Sequence, residues 1–102
     1  MSFVNLTPHV IRLNSGTEFQ PSGAVARVAS QHSDFDVDGI CSVQFGEVQG
    51  LPAPVEGTVY IVSALVAGRV PERRDVVCPA TGHKDAVRKD GQVFSVPGFV
   101  RG

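Results

Sequence analysis

The chain has 102 residues, 42% of them hydrophobic and 19% charged, a balance that fits one globular domain and leaves too little chain for a second core. Nine basic and ten acidic residues give a formal net charge of −1, so there is no basic surplus for general binding to nucleic acid or to an anionic membrane. No apolar run approaches the roughly 20 residues of a membrane span, and "MSFVNLTPHV" lacks a signal pattern, so the expected location is the cytoplasm.

Taken in chain order, the first strand signal is "SFVNL", followed by "NLTPH" and then "HVIRL", in which Arg12 falls on the wetter face of an alternating segment. The turn signal "NSG" at Asn14 to Gly16 and "QPSG" at Gln20 to Gly23 lead to Ala24–Val28, a second alternating segment with Arg27 on its outer face. "DVDG" at Asp36 to Gly39 reads as a turn before "ICSVQF", and Gly50 to Gly57 reads as a long loop within the domain. Thr58 to Val62 is apolar on both faces, which predicts a central strand covered on each side. Ser63 is a good N-cap for a short helix through Ala64, Leu65, Ala67 and Arg69. Val66 and Val70 share one face of that helix, and Pro71 stops it. "DVVC", "QVFSV" and "GFV" are the remaining strand signals, with the "KDG" turn at Lys89 to Gly91 among them. The expected fold is α+β and mostly β, one domain over 1–102 with one short helix. Its sheet is antiparallel or mixed, or a partly open barrel.

Chemistry-bearing residues fall into three places. Ser63 stands where a strand meets a helix, an end whose backbone N–H groups attract anions, and Arg69, Arg73 and Arg74 follow it with guanidinium forks suited to phosphate or carboxylate. The competing reading is a plain N-cap and a surface pair of Arg73 with Asp75. In "NLTPH", Asn5, Thr7 and His9 share one side of an extended segment, as ligand groups or as partners of nearby backbone. "DFDVDG" copies the start of a calcium loop, but Phe45 occupies the position that needs a bidentate Glu, so it reads as a solvated acidic turn. Cys41 and Cys78 form no metal or redox motif and read as buried free thiols; no cofactor, metal site or catalytic residue is expected.

The blocks "NLTPHVI", "PSGAVARV", "LPAPVEGTVYIVSALVAGRVPERRDVVCP" and "AVRKDGQVFSVPGFV" resemble small uncharacterised proteins of actinobacteria, other bacteria and their phages that begin N-L-T-P-H. Their Y-I-V-S, V-A and P-x-R-x-D pattern falls on Tyr60 to Ser63, Val66-Ala67, Pro71, Arg73 and Asp75, which singles out Arg73 rather than Arg74. The resemblance implies a phage or prophage accessory protein in a bacterial cytoplasm and supplies no activity. By analogy with other small phage proteins, the expected function is sequestration of an anionic small molecule, such as a cyclic nucleotide or ADP-ribose derivative, by a homo-oligomer. The expected ligand residues are Asn5, Thr7, His9, Arg27, Ser63, Arg69, Arg73, Arg74 and Asp75. Two alternatives stand beside it: a phosphodiesterase or hydrolase using His9 with Asp75 or Asp34, and a structural or host-protein-binding component in which Arg73 makes a salt bridge.

Overall fold

In a computed structural model, which describes residues 1–101, the elements in chain order are β1 (Ser2–Asn5), β2 (Ile11–Arg12), β3 (Glu18–Phe19), β4 (Arg27–His32), β5 (Val43–Gln49), β6 (Thr58–Ile61), α1 (Ala64–Arg69), β7 (Val76–Pro79), β8 (Val87–Lys89), β9 (Gln92–Ser95) and β10 (Phe99–Arg101). With 42% strand and 6% helix the protein is mostly β. Four strands form a mixed sheet in the order β1-β6-β7-β10, in which β6 runs parallel to both β1 and β7, and β10 runs antiparallel to β7. Three two-stranded hairpins, β2-β3, β4-β5 and β8-β9, complete it. The sheet stays open; the barrel alternative is not realised.

The segment read as a central strand lies in the middle of this sheet, and its alternation explains both faces. Tyr60 and Val62 point to one side with Leu6, Val76 and Cys78, where Val66 and Ala67 of α1 cover them and bury the main core. Ile61 and Val77 are also buried, and Phe3, Phe19 and Phe99 form a separate aromatic cluster with ring centroids 5.2 to 5.7 Å apart. Helix α1 is the crossover between the parallel strands β6 and β7, the connection that parallel pairing requires.

The β4-β5 hairpin departs from the sequence expectation. Its first strand was expected over Ala24–Val28, but β4 runs from Arg27 to His32, and β5 continues past Phe45 to Gln49. Its apolar anchorage lies at the base: Val28 and Val48 pack against the core, whereas every residue from Ser30 to Glu47 is exposed except half-buried Cys41. The ribbon is an arm. The radius of gyration is 15.6 Å and the longest dimension 51 Å, against about 13 Å expected of a compact chain this long. The polar run "ASQHS" concealed the strand, because alternation signals a strand only where one face is buried.

Candidate functional site

The "NLTPH" segment closes on itself. Asn5 is buried, 2% exposed, at the end of β1. Its amide nitrogen donates to the carbonyls of His9 (2.7 Å) and Phe19 (3.0 Å), and its Oδ1 accepts from the Thr7 N–H (3.0 Å) and hydroxyl (2.7 Å). All the polar capacity of Asn5, and the Thr7 hydroxyl, is spent on a turn that joins β1 to β3. The exposed His9 imidazole makes no hydrogen bond among the described residues and is not bonded to Asp34 or Asp75.

Beyond Ser63 the chain forms the expected joint. The Ser63 hydroxyl accepts the Val66 N–H at 3.4 Å, and α1 ends at Arg69, two residues before Pro71. Arg73 then turns back: Nε and Nη2 grip the two Asp75 carboxylate oxygens at 2.8 and 2.9 Å, and Nη2 also donates to the Pro52 carbonyl at 2.9 Å. This bidentate pair holds the Asp75 carboxyl below its ordinary pKa and raises that of Arg73. Its structural effect is to tie the Gly50–Gly57 loop to the entry of β7, and the Tyr60 hydroxyl adds a second tie through Ala53. Arg69 reaches to the arm, donating to the Phe45 carbonyl at 3.1 Å with its guanidinium 5.4 Å from the Phe45 ring centroid.

Arg69 and Arg73 therefore share one wall of an open groove of about 530 Å³, whose other wall is β5 with Phe45, Glu47 and Val48. Thr7, Arg27 and Ser63 border a separate depression of about 280 Å³ at the arm's base. His9 lies on a third, an apolar cleft of about 200 Å³ formed with Val10, Pro79, Val93 and Phe94. Arg74 is exposed, and its carbonyl accepts from Arg101. Eight of the nine residues expected at one ligand site thus divide among a buried knot, a salt-bridged groove, the depression at the arm's base and the apolar cleft, and Arg74 lines none of them. None of the described carboxylates pairs with Arg27, Arg69 or Arg74.

Cys78 is buried in the core, which pushes its thiol pKa up, whereas Cys41 is only half-buried on the arm, contrary to the expectation of two buried thiols. Among the described residues no His, Cys, Asp and Glu side chains cluster as a metal site, and no helix is long and apolar enough to cross a membrane.

The segment Asp34 to Gly39, expected as a solvated acidic turn, is an exposed turn at the arm tip; the apolar side chains beside it were not anticipated. Asp36 Oδ1 accepts the N–H groups of Asp38 (2.9 Å) and Ile40 (3.0 Å), so that carboxylate shapes the turn. The neighbouring apolar side chains are left in water: Phe35 is 73% exposed, Val37 98% and Ile40 64%. Charge is segregated along the same lines. Between Arg27 and Arg69 there are five carboxylates and no Lys or Arg, while all nine basic residues and the other five carboxylates lie outside that stretch. The signal was present in the sequence as an uninterrupted acidic segment carrying "FDVDGI". No protein-family model, curated protein or solved structure matches the chain, so the site is defined by its geometry alone.

Proposed function

We propose that this protein works by binding another protein chain, with the β4-β5 arm as its contact element. The observation that carries this reading is the exposure of Phe35, Val37 and Ile40 at the end of a two-stranded ribbon. An isolated two-stranded ribbon is marginally stable in water, and an exposed apolar patch rimmed by charge is characteristic of a contact surface. Arg73, spent on Asp75 and Pro52, fits the structural role. The resemblance to N-L-T-P-H proteins of bacteria and phages supports a phage-type accessory component acting in a bacterial cytoplasm. A photo-cross-linking residue at position 37 should form a protein adduct in cells, and one at position 56, on the loop before β6, should not. No adduct from position 37 would sink the proposal.

A second reading is favoured by one observation, the absence of a described carboxylate partner for Arg69 on the wall it shares with Arg73. The groove would then take an anionic small molecule, a cyclic nucleotide or ADP-ribose derivative. A ligand that binds only the folded state must raise Tm, and the rise should vanish in Arg69→Ala and Arg73→Ala. Absence of any shift across a panel of such nucleotides ends this reading.

A further inference from the structure

We infer that the chain the arm binds is a second copy of this protein, with the tip of β4-β5 seated in the Phe94 cleft of that copy. The inference rests on the proposed reading of the arm and adds the identity and address of the partner.

Two surfaces of the chain match in apolar character and are complementary in charge. The tip offers Phe35, Val37 and Ile40 flanked by Asp34, Asp36 and Asp38, with no cation anywhere on the hairpin beyond Arg27 at its base. The cleft offers an apolar floor of Val10, Pro79, Val93 and Phe94, and its volume of about 200 Å³ suits one large side chain. Cations rim it. Lys89 Nζ stands 3.9 Å and the Arg12 guanidinium 4.6 Å from the Phe94 ring centroid, and Arg88 Nη2 reaches the Thr81 carbonyl at the cleft edge. Arg12 is already paired with Glu18, so Arg88 and Lys89 are the cations available to the arm's carboxylates. Asp36 is committed to its own turn, which leaves Asp34 and Asp38 to face them.

Seating the tip buries apolar groups that are otherwise in water and sets the acidic segment of one copy against the basic part of the next. Such pairing gives orientation and rate as well as affinity. The contact joins two different patches, so two copies exchange arms reciprocally in a closed dimer or pass them head to tail around a ring.

Charge reversal provides the test. Wild-type protein should self-associate by light scattering, and more weakly as salt is raised, because exposed charges are screened. Asp34→Lys with Asp38→Lys, and separately Arg88→Glu with Lys89→Glu, should each weaken association on the order of tenfold. An equimolar mixture of the two double variants should recover it, since each arm then meets a cleft of opposite sign. A monomeric wild type at millimolar concentration, or a mixture that recovers nothing, overturns the inference. Adducts from position 37 of the unmutated background provide a readout free of folding defects. Cross-links to Val93, Phe94 or their neighbours on the same protein support it. Cross-links to a different protein overturn the second copy while leaving the arm as a contact element, and no adduct overturns both.

Discussion

Asn5 shows how a polar residue that looks like a ligand group becomes a structural one. Its side chain makes four hydrogen bonds at a buried position, and Asn5→Ala would leave the His9 and Phe19 carbonyls and the Thr7 N–H without that partner. The expected loss is about 2–4 kcal/mol in urea unfolding. Asp75 is the second such case, with a pH signature. Because Arg73 holds its pKa below the ordinary 3.8, the ion pair contributes its full stability above that value and loses it as pH falls through the depressed folded value. Asp75→Asn should therefore destabilise by about 1–2 kcal/mol between pH 5 and 8. The gap between the two proteins should close below the ordinary value; a gap that stays constant into acid would remove the ion pair from the account.

At the scale of elements, glycine marks where the arm and the long loop meet. Gly50 has φ +80°, and a Cβ there would lie 2.6 Å from the Val25 carbonyl oxygen, a backbone atom that is not free to move aside. Gly57 has φ +78° with nothing within 4 Å. Gly57→Ala should cost only the conformational strain, about 1–2 kcal/mol, and Gly50→Ala should cost clearly more, as read from denaturant midpoints. The arm makes the opposite demand. Ser30 and Phe45 are direct partners in the ladder, so replacing residues 31–44 with Asn-Gly closes the ribbon with a tight turn. The shortened protein should unfold cooperatively with a Tm within a few degrees of the parent, since the excised residues are almost all exposed. A large fall in Tm would show that the arm supports the fold.

On the scale of the whole molecule, the segregation of charge is the dominant feature. The arm, with Asp34, Asp36, Asp38 and Glu47 and no Lys or Arg between Ser30 and Glu47, extends from a body that holds all nine basic residues, so a net charge of −1 conceals two surfaces of opposite sign. The total charge says nothing about attraction between copies, which depends on how charge is distributed. An arm of 18 residues, Ser30 to Glu47, exposes three large apolar side chains at its end. Burial against a partner is the physical means of removing them from water.

Much of the frame was legible in the chain: the central strand Thr58–Ile61, the Ser63 cap and the stop before Pro71 follow from local apolar runs, capping chemistry and proline sterics. The strands His9–Leu13 and Ala24–Val28 were placed only roughly, and Glu18–Phe19 and Val87–Lys89 were missed because two or three residues carry too little periodicity. What the sequence by itself determined is the mostly-β domain, its turns and its single short helix, all set by interactions within a few residues. Only the tertiary structure decided that Asn5 and Thr7 are consumed by backbone, that Arg73 is held by Asp75 and Pro52, and that the Asp34–Ile40 turn stands away from the body. The reason is physical: whether a polar or apolar side chain remains available to a partner depends on which distant groups the packed sheet has brought against it.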